Sequence, residues 1–187
     1  MRKKEMKTST FAIIGSIILV FIAIFAISAF AKRNTTQVPR QISTNLHRPF
    51  DAKATIKMKD LTMEADINKT DIGVATFKIK EPKSLKDMEF QYNGEDVTVS
   101  YRGLSVKLDE NSKLASSLAS IIVSSIDKAA SPSGVDVDIK GKQLAINGKS
   151  DAGKFEILLD KKTGSMMSLA LPELDFECNF DDFIFKK

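Results

Sequence analysis

From Phe50 onward, apolar and polar residues alternate with period two almost without interruption. Phe50, Ala52, Ala54, Ile56 and Met58 alternate with Asp51, Lys53, Thr55, Lys57 and Lys59. A strand points successive side chains to opposite faces, so this pattern describes strands with one buried and one wet face. Leu61, Met63, Ala65 and Ile67 repeat it, as do Ala75, Phe77 and Ile79, and Pro82 closes that third strand. Met88, Phe90 and Tyr92 run into the turn sequence Asn93-Gly94-Glu95-Asp96; Val97, Val99 and Tyr101 lead out of it. Leu104, Val106 and Leu108 follow Gly103.

The period changes once. Asn111 or Ser112 can cap a helix in which Leu114, Leu118, Ile121, Ile122 and Ile126 share one face. Lys128 suits its last turn, and Ser131-Pro132-Ser133-Gly134 ends it. Five more alternating runs follow. They are centred on Val137, Ile146, Ile157, Leu169 and Cys178, and the sequences Gly141-Lys142 and Lys161-Lys162-Thr163-Gly164 mark two of the turns between them.

About eleven short strands with short connections require antiparallel neighbours. A sheet of that size, buried on one side only, must curl. The only element available to fill its concave side is the helix at 112–130. The expected fold is therefore mainly β (α+β): a curved antiparallel sheet of about eleven strands, an incomplete barrel, around one internal helix.

A second feature sits upstream. An uncharged apolar run begins at Phe11 and ends at Ala31. At about 1.5 Å per residue it would span about 30 Å, the thickness of a bilayer's hydrocarbon core. Arg2, Lys3, Lys4 and Lys7 precede it; only Lys32 and Arg33 follow closely. The heavier positive flank stays in the cytoplasm. Residues 1–10 are then a cytoplasmic basic segment, 11–31 a transmembrane anchor, 32–48 a polar linker, and 49–187 an extracytoplasmic domain at the cell membrane. Ala29-Phe30-Ala31 also fits a signal-peptidase site, so secretion after cleavage near Ala31 is the alternative.

That segment also explains the charge. The chain has 28 Lys plus Arg and 24 Asp plus Glu. Removing the four bases and single acid (Glu5) of residues 1–31 leaves 24 and 23, a net of +1. A neutral, well-mixed domain does not carry the clustered basic patch of a nucleic-acid binder, so no nucleic-acid partner is expected. With Cys178 as its one cysteine, the chain has no internal disulfide.

Signals for catalysis are weak. His47 is the sole histidine and falls in the linker, where a solvated side chain is expected. Cys178 lies between Phe176 and Phe180 on the apolar face and behaves there as a small hydrophobe. Asp181 and Asp182 read as a charged strand end without a calcium loop around them. No second cysteine or histidine supports a metal site. No catalytic residue, metal or cofactor is expected.

The concave face suggests a different role. Ala52, Ala54, Met58, Met63 and Ala65 point small or flexible side chains inward from the first two strands. Alanines leave room, and methionine adapts to irregular partners. With Ile56, Phe77, Phe90, Tyr92, Tyr101, Leu118 and Ile122 they would line an apolar cavity for a lipid or acyl chain. Equally, Ala and Met can fill a tight seat beneath the helix. Tyr92 and Tyr101 would stand near the rim, apolar body inward and hydroxyl toward water.

The strand count, the single interrupting helix and several local phrases resemble the LolA/LolB-like superfamily, the bacterial lipoprotein-carrier fold. FDAKATIKMK through VATFKIKEP is similar to the family's opening strands, SLKDMEFQYNGEDVTVSYRGL to the next hairpin, and LLDKKTGSM to a late one. The style resembles GerS-like anchored proteins of spore-forming Gram-positive bacteria. The resemblance implies an eleven-stranded incomplete barrel with a helical lid and an apolar interior. It also implies a function in carrying lipids or lipoproteins, or in binding a partner protein at the membrane. This chain departs from the GerS-like pattern in having an apolar run where a lipidated relative has its cysteine. Arg102, the only arginine after Arg48, is expected on the wet face.

Overall fold

The computed structural model describes residues 45–94, 96–108, 118–131 and 133–186. The apolar run at 11–31, residues 1–10, most of the linker and the first turns of the expected helix lie outside them. No helix among the described residues is long and apolar enough to cross a membrane.

Eleven strands form one sheet. They are β1 (Phe50–Met58), β2 (Leu61–Asp71), β3 (Val74–Glu81), β4 (Glu89–Tyr92), β5 (Val97–Tyr101) and β6 (Leu104–Leu108), then β7 (Val135–Lys140), β8 (Gln143–Ser150), β9 (Gly153–Asp160), β10 (Met166–Leu171) and β11 (Phe176–Phe185). The order is β6-β5-β4-β3-β2-β1-β11-β10-β9-β8-β7, with antiparallel neighbours throughout. The chain thus lays down one wing, crosses over, and builds the other wing back toward β1. The crossover carries the single long helix of the described residues, α1 (Leu118–Ala130).

The position of α1 shows that the sheet is curved. The helix packs against β3 and β4 on one wing and β8 and β9 on the other. β4 and β8 are seven strand spacings apart, roughly 34 Å on a flat sheet. A helix of this length is about 20 Å long and about 10 Å wide, so only a curled sheet brings both wings to it. The enclosure is more complete than a single apolar stripe implies. Nine of the thirteen helical residues are buried, Ser125 among them. Ser125 keeps its hydroxyl satisfied by Ser150, 3.3 Å away between oxygens.

Burial follows the alternation. β1 reads buried at Phe50, Ala52, Ala54 and Ile56, and β9 at Phe155, Ile157 and Leu159. The outer face carries exposed ion pairs, such as Lys80–Asp66 between the neighbours β3 and β2 and Lys140–Glu156 reaching across β8 from β7 to β9, both at 2.7 Å. Exposed pairs of this kind each contribute at most about 1 kcal/mol, so burial of the inner face holds the sheet together.

Several details depart from simple alternation: Leu144, Ala145 and Ile146 are buried in succession on β8, and a bulge in β10 buries Met166 and leaves Met167 39% exposed. Arg102 does not sit within a strand. It forms the β5–β6 turn with Gly103, both at positive φ (50° and 82°), the geometry that suits a two-residue hairpin. In β11, Asp181 and Asp182 do not end the strand. Asp181 pairs with Lys53, and a bulge then sets Asp182 and Phe183 against Ala52, with Asp182 at φ 48°; the strand continues to Phe185. The extra residue shifts the phase, and Phe183 stacks on Phe50 with ring centroids 4.6 Å apart.

At Gly148 on β8, an added Cβ would lie 2.6 Å from Phe155 Cζ and 3.0 Å from Val135 Cγ1. Phe155 is 3% exposed and has little room to move. Gly148→Ala should therefore lower stability by about 1–3 kcal/mol, as overpacking does. Urea denaturation followed by circular dichroism measures it.

Candidate functional site

Directly opposed residues on neighbouring strands share a face, so the register tracks the inner surface across the sheet. One row runs Ala52–Ile67–Phe77–Phe90–Val99–Val106. A second pairs Phe180 with Ala54, Ala65 and Ile79, and Tyr101 with Leu104 continues that face on the outer strands. A third runs Phe50–Lys69–Ala75–Tyr92–Val97–Leu108.

Exposure changes along these rows. Ala52, Ala54, Ile56, Met63, Ala65 and Phe77 are buried, as are Leu118 and Ile122 on α1. Met58, at the end of β1, is half-buried. Phe90, Val99, Tyr92 and Tyr101 are half-buried too. On β6, Leu104 and Val106 reach 74% and 58% exposure. The apolar inner surface is thus closed over β1–β3; over β4–β6 Val97 is still buried, at 2% exposure, while Phe90 and Val99 are partly open and Val106 is exposed. Both tyrosines satisfy their hydroxyls at the rim: Tyr92 donates to the Gly94 carbonyl and Tyr101 to the Ser84 carbonyl, each at 3.2 Å.

The third row contains a charge that the sequence pattern did not place. Lys69 continues the inward phase of β2 beyond Ile67 and is fully buried. Its ammonium donates to the Asp71 carbonyl at 2.8 Å and lies 3.4 Å from Asp127 Oδ1 on α1. Asp127 Oδ1 makes no hydrogen bond, so its attraction to Lys69 is coulombic. Asp127 Oδ2 accepts from the Gly73 N–H at 2.7 Å. One carboxylate therefore ties the helix to the β2–β3 turn.

Beside this tie lies a pocket of about 510 Å³. Ser124, Asp127, Lys128 and Ser131 line it from the C-terminal half of α1. Lys149, Ser150 and Asp151 line it from the β8–β9 hairpin. Tyr92 stands on β4, one of the strands against which α1 packs. Burial pushes its phenol pKa up, and the negative charges of Asp127 and Asp151 push it further. One end of the concave face is therefore polar, and the open wing next to Tyr92 is apolar.

No protein-family model matches the chain, and no curated protein does. Among solved structures, it is similar to an uncharacterized conserved protein from Thermus thermophilus, at TM-score 0.51 and 12% identity, covering 81% of this chain and 89% of that one. The two share a fold. The chain is also similar to a LolA superfamily protein from Nitrosomonas europaea, at TM-score 0.44 and 10% identity over 79% of this chain and 93% of that one. A DUF1329 family protein from Desulfovibrio piger stands at TM-score 0.44 and 9% identity, over 79% and 91%.

The residues weighed for catalysis are dispersed. Cys178 is fully buried on the inner face, where burial and the nearby Asp181 and Glu177 charges push its thiol pKa up. A thiol held neutral in this way is not a nucleophile. His47 is half-buried, not solvated, and its Nδ1 has no partner among the described residues. Its neighbour Leu46 is fully buried, so the chain is packed against the domain before Phe50. Asp182 pairs with Lys53 at 2.7 Å on the wet face. Among the described residues, no group of histidine, cysteine, aspartate and glutamate is arranged to hold a metal ion.

Proposed function

We propose that this is a non-enzymatic, LolA-like binding domain that takes a hydrophobic ligand, a lipid or the acyl chain of a lipoprotein, on its concave sheet. In this reading the run at 11–31 tethers it to the cell membrane and the domain works outside the cytoplasm. The observation that carries the reading is the inner row Phe77–Phe90–Val99–Val106, which passes from full burial to 58% exposure on a single apolar face. An apolar surface that continues out of a core without a cover is a place for an apolar partner. The sequence resemblance to the lipoprotein-carrier fold and the open eleven-stranded sheet around one helix support the same reading.

An uncharged, photoactivatable long-chain alcohol tests it. Irradiated with the full chain, it should label peptides from β4, β5 and β6. Labelling spread evenly over the surface would defeat the reading. Val106→Lys should weaken labelling about tenfold, the value of one valine side chain removed from an apolar contact. The same change should leave stability within about 0.5 kcal/mol, because the position is exposed.

A further inference from the structure

We infer that the end of the sheet where the chain enters the domain is a docking surface for an anionic phospholipid bilayer, with Lys142, Lys161, Lys162 and Arg48 as its contacts. This rests on the reading of residues 11–31 as a membrane tether and adds which surface of the domain meets the lipid.

The strand registers define that end. Lys140 opposes Gln143, and Gln143 opposes Asp160, so the β7–β8 and β9–β10 turns lie side by side. The Lys161 N–H donates to the Lys142 carbonyl between them, at 2.9 Å. The chain enters the domain at the same place. A Cβ added at Gly164, in the β9–β10 turn, would lie 3.3 Å from Asn45 Nδ2. Leu46 is fully buried, and the Lys186 N–H donates to the Pro49 carbonyl at 2.9 Å, so the entry is fixed to the sheet. Residues 32–44, thirteen in all, separate Asn45 from the end of the apolar run. Even fully extended they reach no more than about 45 Å, which keeps this end near the bilayer.

The near-neutral net charge of the domain hides a polarity. Lys142, Lys161 and Lys162 are exposed and form no ion pair among the described residues. Arg48 is exposed as well, with its guanidinium 4.9 Å from the Phe185 ring centroid. The one carboxylate flanking the two turns, Asp160, accepts hydrogen bonds from the Lys162 and Thr163 N–H groups at 2.9 and 2.8 Å. Four cations therefore stand against one carboxylate. The opposite end of the same wing reverses the sign: Asp151 occupies the β8–β9 turn, and Glu173 and Asp175 lie between β10 and β11. A negative surface attracts the first end and repels the second. Each base beside an anionic lipid surface strengthens attachment about fivefold. Ile184, 64% exposed near the end of β11, adds an apolar side chain at the same end.

The test uses the full chain reconstituted into vesicles of phosphatidylcholine, alone or mixed with phosphatidylglycerol, with a nitroxide-headgroup lipid as quencher. The chain has no tryptophan, so one introduced as Ile184→Trp, or as Lys154→Trp at the opposite end, reports alone. Ile184→Trp should be quenched about threefold more strongly when phosphatidylglycerol is present, and Lys154→Trp equally weakly in both. High salt, or the added changes Lys142→Glu, Lys161→Glu and Lys162→Glu, should abolish the difference. Equal quenching of Ile184→Trp in both vesicles would overturn the docking surface and leave the tether standing. So would a response as large at Lys154→Trp, or a difference that survives the three lysine changes. A chain that alkaline carbonate washes off the vesicles has no tether, and that result would remove both.

Discussion

Asp127→Ala is expected to destabilise the domain by about 3 kcal/mol. The reason lies in what it leaves behind. Lys69 is fully buried, and without Asp127 its ammonium keeps only the Asp71 carbonyl. Removing one partner of a buried pair costs about 3–5 kcal/mol because the other charge stays desolvated. The lower figure applies because the Asp127 side chain retains 20% exposure. Replacing both partners distinguishes this cause from a general loss of packing. Lys69→Met with Asp127→Leu removes the stranded charge and should recover all but about 1 kcal/mol, the remainder being the Gly73 N–H left without its acceptor. Urea midpoints of the single and double variants decide it. Equal losses in both would show that the ion pair is not the source.

Phe77→Ala should cost about 3–5 kcal/mol, the usual range for deleting a buried aromatic ring. Phe77 has no exposed surface, with Ile67 opposite it on one side and Phe90 on the other. Phe90→Ala should cost distinctly less, about 1–2 kcal/mol, because Phe90 is only partly buried. These two positions are direct neighbours on one face, so their difference measures how abruptly the core ends between β3 and β4. Near-equal losses would mean that the outer wing is covered as well as the centre, and would remove the basis for a groove there.

The sheet was legible because period two is a strict rule for a surface with one dry face. Most runs from Phe50 to Phe180 keep that period, β10 being shifted by its bulge so that Met166 and not Met167 is buried, and all eleven strands are present. The single change of period identified α1. Exceptions to alternation were harder to see. Lys69 continues the inward phase of Ala65 and Ile67, but a lysine in an apolar position looks like the end of a strand when its partner is unknown. That partner, Asp127, lies more than fifty residues later on a helix whose apolar residues dominate its pattern. The bulge at Asp182 was hidden for a similar reason: the adjacent carboxylates of Asp181 and Asp182 mimic a terminus, and only the pairing with β1 shows that the strand resumes.

Candidate-site residues divide along the same line. The buried set on β1–β3 follows from periodicity, since any inward residue at the centre of a curled sheet is covered. Exposure over β4–β6 does not follow from it. Val99 and Val106 have the same pattern as Ala54 and Ile67, and only the placement of α1 separates them. The polar pocket left no local motif either. Lys128, Lys149 and Asp151 come from two elements that meet only after the sheet has curled.

The strand order has a consequence for how the chain is made. β1 and β11 are hydrogen-bonded neighbours at the middle of the sheet, so Ala54 meets its partner only when Phe180 has been synthesised. Until then β1 is an open edge, rich in apolar residues, on a half-sheet not yet joined to the wing of β7–β10. Pairings between distant parts of a chain form slowly, and unpaired edges invite other chains in the meantime. Truncations before β11 should thus yield insoluble protein, not a smaller folded domain. For the intact chain, the vulnerable interval is the time between translation of the first wing and the arrival of the last strand.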